Sequence, residues 1–123
     1  MITGVGTDIV QVERIRKLRA AAVTRLLTPA EEKYCRAHAD PAPRIAGRFA
    51  AKEAILKALG TGLGSGASWK QIEILPDALG APRARFSGAV ARRMRALGAT
   101  RCHLSISHES DHAVAFAVLE SVS

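Results

Sequence analysis

The sequence predicts an α+β fold, one domain over residues 1–123 in which helices pack on a mostly antiparallel sheet. Three observations lead there. Residues 2–9, 102–107 and 113–119 are short runs of strand-like composition at the two ends of the chain. Between them lie stretches of helical spacing with clear start and stop residues. The regular alternation of strand and helix that marks a doubly wound sheet is missing.

The elements follow in order. In the strand at 2–9, alternation puts Asp8 on the face of Ile2, Gly4 and Gly6, and the glycines are expected to leave open space beside the carboxylate. Val10 to about Ala22 has helical spacing, with Val12 and Ile15 on one side and Arg14, Arg16 and Lys17 elsewhere. Thr28-Pro29-Ala30-Glu31 starts a second helix, reaching about His38: threonine caps, proline takes the first position, and glutamate comes three residues after the cap. Asp40-Pro41-Ala42-Pro43 interrupts the chain, and a third helix runs from about Arg44 to Leu59, where Gly60, Gly62, Gly64 and Gly66 stop it. Strands at 70–75 and 83–86 flank the turn-rich Pro76-Asp77-Ala78-Leu79-Gly80, and Ser87 caps a helix to Leu97. The last two strands form a hairpin around Glu109-Ser110-Asp111.

At 123 residues, 48% of them hydrophobic and 24% charged, the chain is long enough for one core without disulfides and short for two. The first ten residues lack a basic region followed by an apolar one, and Ala113 to Leu119 is too short to span a bilayer, so a cytoplasmic protein is expected. Cys35 and Cys102 have neither C-x-x-C nor zinc spacing and read as free packing thiols. The net charge of +7 suits an acidic or phosphate-rich partner. Arg14, Arg16, Lys17, Arg19 and Arg25 crowd the first quarter; Arg83, Arg85, Arg92, Arg93, Arg95 and Arg101 form a second group that reads as a solvated face.

Chemistry concentrates in "FAAKEAILKALGTGLGSG", residues 49–66. Glu53 and Lys57 are four apart and share a helix face, either as a surface ion pair or as part of a site. Arg48 and Lys52, also four apart, add positive charge on the adjacent face and make a phosphate site more credible. The glycines follow a helix instead of opening one, which excludes a dinucleotide fingerprint or a P-loop, yet they still allow backbone N–H groups to approach a phosphate closely. Ser105-Ile106-Ser107-His108 is no serine–histidine dyad, since alternation puts His108 off the serine face; His103 and His112 carry less signal still.

Taken together, "GVGTDIVQVERI" (4–15), "LTPAEEKYC" (27–35), "AGRFAAKEAILKALGTGLG" (46–64), "QIEIL" (71–75) and "HLSISHESDHAVAFAVLE" (103–120) resemble the holo-[acyl-carrier-protein] synthases, the small trimeric type of 4'-phosphopantetheinyl transferase. The resemblance implies transfer of the 4'-phosphopantetheine arm of coenzyme A to a serine of apo acyl carrier protein, with release of adenosine 3',5'-bisphosphate, in support of fatty acid or polyketide biosynthesis. It implies Mg2+ held by Asp8 and Glu53, with Lys57 facing the phosphates, so that Glu53, Lys57 and Asp8 are the catalytic set. Coenzyme A would meet Arg48, Lys57, Gly60, Gly62 and Gly64, with His108 near its nucleotide end. Arg14 would meet the carrier protein, and a homotrimer would build each site between neighbouring chains. The serine proton would pass to Glu53 or to a water on the metal. One departure is the loop Pro76 to Pro82, where the family often has N-D-x-x-G-x-P and its polar contacts to adenine.

Two other classes compete. A magnesium-dependent phosphoesterase would use the same carboxylates with water as nucleophile. A basic nucleic-acid-binding module would explain the charge, but Tyr34, Phe49, Trp69, Phe86 and Phe116 are scattered without a stacking motif, and Asp8 and Glu53 would go unexplained. No nucleic acid and no membrane partner are expected.

Overall fold

A computed structural model describes residues 1–64 and 66–122. The elements are β1 (Ile2–Gln11), α1 (Val12–Arg16), α2 (Ala20–Leu26), α3 (Pro29–Arg36), α4 (Ala42–Ala58), a 3-10 turn (Trp69–Gln71), β2 (Ile72–Pro76), β3 (Pro82–Phe86), α5 (Gly88–Ala96), β4 (Arg101–His108) and β5 (His112–Glu120). Strands β1, β5 and β4 make a three-stranded antiparallel sheet in that order, and β2 and β3 pair separately, also antiparallel. The α+β expectation is met.

Helix α4 lies on one face of the larger sheet, and its buried alanines, among them Ala46, Ala50, Ala54 and Ala58, let its backbone come close to the strands. This corrects the expected role of the glycines in β1. They do not leave open space: a Cβ on Gly4 would run into the carbonyl oxygen of Ala58, and one on Gly6 into that of Ala54. Their missing side chains are filled by helix backbone, which is what brings α4 onto β1. A register shift between Ile2 and Gly4 also takes Ile2 out of the expected alternation.

The single helix expected over 10–22 is replaced by more strand and two short helices. Val10 and Gln11 continue the β1 ladder opposite Ala113 and His112, hydrogen bonding that local periodicity does not register. The chain then turns through α1 and breaks at Arg19, whose extended backbone (φ −70°, ψ 155°) starts α2. Elsewhere the local signals hold. Thr28 and Glu31 form the reciprocal cap of α3, Thr28 Oγ1 accepting from the Glu31 N–H at 3.2 Å and Glu31 Oε1 accepting from the Thr28 N–H at 2.9 Å. Ser87 precedes α5 without a side-chain cap bond; Gln71 Oε1 accepts from the Val90 N–H instead, at 3.3 Å.

Among the described residues no layer covers the other face of the sheet. Val5, Ile9 and Phe116 are 62%, 64% and 52% exposed there, while Ala113, Ala115 and Ala117 on the opposite face are fully buried under α4. Among the described residues no helix is long and apolar enough to cross a membrane.

Candidate active site

The close approach of α4 to β1 sets the first functional contact. Asp8 sits in β1 opposite Ala115, and Glu53 and Lys57 project from successive turns of α4. Lys57 Nζ donates to Asp8 Oδ1 at 3.0 Å and to the Thr7 carbonyl at 3.0 Å. The lysine thus reaches across to the strand instead of closing a surface pair with Glu53. Glu53 is half-buried, and burial pushes its carboxyl above the usual range. The nearby Asp8 charge pushes the same way, while the indole of Trp69 and the ammonium of Lys57 pull back.

The Glu53 carboxylate, whose ionisation the Asp8 charge opposes, and the exposed Lys57 one turn away form a site with oxygen donors on one side and a positive charge on the other. Oxygen donors of this kind suit hard divalent ions such as Mg2+, which take one or two carboxylates and complete their shell with water and substrate phosphates. Asp8 and Glu53 fit such an ion as donors. The described residues contain no cluster of three or more His, Cys, Asp and Glu that would hold it without help from a ligand.

Immediately after Lys57 the chain closes α4 with a tight stop. Gly60 takes φ 71°, its N–H bonds to the Lys57 carbonyl at 3.0 Å, and the Thr61 N–H bonds to the Leu56 carbonyl at 3.1 Å. Gly60 therefore has a structural job; in the loop that follows, an added Cβ on Gly62 or Gly64 would meet nothing within 4 Å, but Gly64 takes φ 137°, which favours glycine, and of the three only Gly62 is free of a backbone requirement. A shallow cleft of about 260 Å³ runs beside this loop, with Arg93 on its far wall. The Arg93 Nε donates to the Leu59 carbonyl at 3.0 Å, so one member of the presumed solvated group holds the C-terminus of α4 instead. No motif marks this arginine. Its only sequence signal is its helical position facing a glycine stop that lies more than thirty residues earlier.

The positive stack of Arg48 and Lys52 needs correction. Both are buried. Lys52 Nζ donates to Glu31 Oε1 at 2.6 Å and to the Leu26 carbonyl at 2.8 Å, which makes it an internal ion pair and not a phosphate-facing charge. Burial lowers its pKa, against the pull of Glu31. Arg48 lies over the Tyr34 ring, 4.5 Å from the centroid, and its buried Nε has no hydrogen-bond partner among the described residues. Within one chain it does not join Asp8, Glu53 and Lys57.

His108 ends β4 opposite Ala113, which in turn faces Val10 of β1. It shares the face of Asp8 but lies two strands away, exposed beside Glu109 and His112, and a single chain does not bring it to Lys57. Arg14 is exposed on α1 and, with Arg25, edges an apolar cleft of about 500 Å³ lined by Val10, Ile15, Phe49 and Trp69. Arg16 is neutralised by a bidentate pair with Asp40, at 2.7 and 2.6 Å, so the positive charge facing this cleft comes from Arg14 and Arg25. In the 76–82 loop, Asp77 accepts from the Leu79 and Ala81 N–H groups at 2.9 and 3.0 Å and from Arg83 Nε at 3.0 Å. The turn consumes its own carboxylate.

Three of the aromatic residues are engaged in packing, Phe49 and Trp69 edge to face and Tyr34 under Arg48, while Phe116 stands apart on the open face of the sheet. They make no exposed stacking row of the kind single-stranded nucleic acid requires.

Comparison with known proteins shows the family. Residues 4–117 match the model of the 4'-phosphopantetheinyl transferase superfamily. The chain is 50% identical over 125 residues to the holo-[acyl-carrier-protein] synthase of Alteromonas mediterranea, covering 98% of each chain. Among solved structures it is similar to the holo-[acyl-carrier-protein] synthase of Neisseria meningitidis, at 41% identity and a TM-score of 0.89, covering 98% of this chain and 100% of that one. It is also similar to the Bacillus anthracis synthase in complex with coenzyme A (3',5'-ADP), at 39% identity and a TM-score of 0.85, covering 99% of both.

Proposed function

The chain belongs to the 4'-phosphopantetheinyl transferase superfamily, and from that premise we propose that it moves the 4'-phosphopantetheine group of coenzyme A onto a serine of apo acyl carrier protein. We read residues 1–123 as one such domain, serving fatty acid or polyketide biosynthesis. The observation that carries the reading is the meeting of Asp8 with Lys57 across β1 and α4, with the Glu53 carboxylate close enough to feel the Asp8 charge. In the reaction the serine oxygen bonds to the phosphorus that bears the pantetheine arm, the pyrophosphate P–O bond breaks, and adenosine 3',5'-bisphosphate leaves with the electron pair. Asp8 and Glu53 would hold Mg2+, which when bound would neutralise charge on the phosphate oxygens. Lys57 is half-exposed, and its ammonium is placed to turn from Asp8 to a phosphate. The serine proton goes to the Glu53 carboxylate or to a water molecule at the site.

Two features support a site completed by neighbouring chains, in a homotrimer. The unlayered sheet face of Val5, Ile9 and Phe116 is of the apolar kind that subunits cover. Arg48 and His108, distant from Lys57 in one chain, would then meet coenzyme A from a neighbour. Free thiols at Cys35 and Cys102 suit a cytoplasmic setting.

Incubation of the protein with coenzyme A, Mg2+ and an apo carrier protein tests the reaction, with the carrier weighed by mass spectrometry. The expected result is a carrier heavier by one phosphopantetheine. Free pantetheine phosphate with an unchanged carrier would replace transfer by hydrolysis. Light scattering on the same preparation should give three chains; a fully active monomer would reject the shared site.

Arg14 gives a sharper test of the carrier dock. Rim charges act mainly on encounter and are screened over a Debye length of roughly 8 Å at physiological ionic strength. Arg14→Glu is expected to raise the KM for carrier protein about tenfold or more at low salt, through loss of charge complementarity, and to leave the KM for coenzyme A nearly unchanged. Saturation curves for each substrate at two salt concentrations check this. Damage to coenzyme A use instead would remove α1 from the docking surface.

A further inference from the structure

Trp69 is the only tryptophan of the chain. Its indole Nε1 is buried and has no hydrogen-bond partner among the described residues, although a buried indole N–H ordinarily finds an acceptor. The ring itself is well fixed. It packs edge to face on Phe49, with centroids 5.8 Å apart and planes at 65°. Phe49 precedes Glu53 by one turn of α4, so Phe49 and Glu53 lie one above the other on a single helix face, and Trp69 lies against that face. The turn that follows the glycine loop thus delivers one uncommitted donor beside the one carboxylate of α4. Lys57 does not compete for that role, because its ammonium is engaged by Asp8 and the Thr7 carbonyl.

A carboxylate that holds a cation through one oxygen has a second oxygen to satisfy, and the group that satisfies it fixes the ligand's orientation. We infer that Trp69 is a positioning residue for Glu53: its indole N–H donates to one oxygen of the carboxylate while the other holds a divalent cation. This inference rests on the metal-holding role given above to Asp8 and Glu53. Trp69 touches no reacting atom in this account. It acts through Glu53, and it also forms part of the wall of the apolar cleft at Arg14, so ring and N–H have separable consequences.

The experiment measures Mn2+ binding by electron paramagnetic resonance, with saturating coenzyme A and no carrier protein, so that nothing turns over. Three proteins are compared: the wild type, Trp69→Phe, and a protein carrying benzothienylalanine at position 69, which keeps the two-ring shape and replaces the N–H by sulfur. Loss of the hydrogen bond should weaken Mn2+ binding by about 10-fold in both altered proteins, within the 10–100-fold range for groups that orient metal ligands. Coenzyme A binding in the presence of a chelator should stay at the wild-type value. Wild-type Mn2+ affinity in the benzothienylalanine protein overturns the inference, whatever Trp69→Phe does, because the ring and not its N–H would then be the active feature. A wild type that binds no Mn2+ beside coenzyme A overturns the metal reading of Asp8 and Glu53 and this inference with it, whereas intact binding in all three proteins overturns this inference alone.

Discussion

Glu53→Gln is expected to lower kcat/KM for phosphopantetheine transfer by about 10³-fold, the upper range for removing one preorganised charge from a reacting centre, while leaving the fold as stable as before or more so. The two halves of this expectation have one cause. Folding raises the Glu53 pKa, first through burial and then through the Asp8 charge, so the native state binds this proton more tightly than the unfolded chain does. For such a group, stability is lost as pH rises through the folded-state value, and at neutral pH the charged form works against the fold. The glutamine side chain removes that opposition and keeps the shape. Asp8→Asn should fail in transfer as well. It removes the charge that faces Lys57, but Lys57 keeps the Thr7 carbonyl and is 58% exposed, so the loss costs little stability. Transfer rates by mass spectrometry and urea midpoints of the same preparations check both variants. Near-wild-type transfer in either one would remove the carboxylate pair from the chemistry.

The parts of this molecule that can be read from sequence are those whose causes are local. The Thr28 to Glu31 cap, the stop of α4 at Gly60 and the hairpin around Ser110 each depend on residues a few positions apart, and each forms where its residues say. The β1 ladder is different. Val10 and Gln11 look helical because their partners, Ala113 and His112, lie about a hundred residues away. The glycines of β1 mislead for a related reason: a strand glycine signals that something comes close without saying whether it is solvent, ligand or, as here, the carbonyls of Ala54 and Ala58.

The same limit applies to the candidate site. Spacing of four puts Glu53 with Lys57 and Arg48 with Lys52 on common faces, but it does not say which face turns inward. Asp8 meets Lys57 because of the approach of α4 to β1, and its pairing with the site was legible only through family resemblance. Arg93 and Trp69 belong to no motif, and their relation to α4 exists only in three dimensions. Lys52 shows how far a charged residue can depart from its usual place: it is fully buried, whereas lysine is almost never so unless paired.

That burial makes Lys52 the site of the largest expected loss of stability. Its ammonium joins Glu31 at 2.6 Å and the last carbonyl region of α2 through Leu26 at 2.8 Å. Glu31 in turn accepts from the Thr28 N–H and from the Ile74 N–H, each at 2.9 Å, so one carboxylate ties α3 and β2 to α4. Lys52→Met keeps much of the volume but leaves that carboxylate uncompensated in the interior, and should cost about 3–5 kcal/mol. Against a total stability of about 5–15 kcal/mol for an ordinary domain, much of the margin would be gone. Pairing it with Glu31→Gln removes both charges, and the double variant should recover most of the loss, since an apolar or neutral replacement of a buried pair is often close to neutral. The recovery separates a charge effect from a packing effect, because both proteins carry the same methionine. It also bears on function: Lys52 is next to Glu53 in sequence, and by fixing the rotation of α4 about its axis it keeps Glu53 and Lys57 turned toward β1. Urea titrations of the single and double variants, with the KM for coenzyme A measured on whichever remain folded, decide the role. If Lys52→Met leaves the urea midpoint unchanged and raises the KM for coenzyme A, the lysine binds phosphate and the buried pair is not what holds α4 in place.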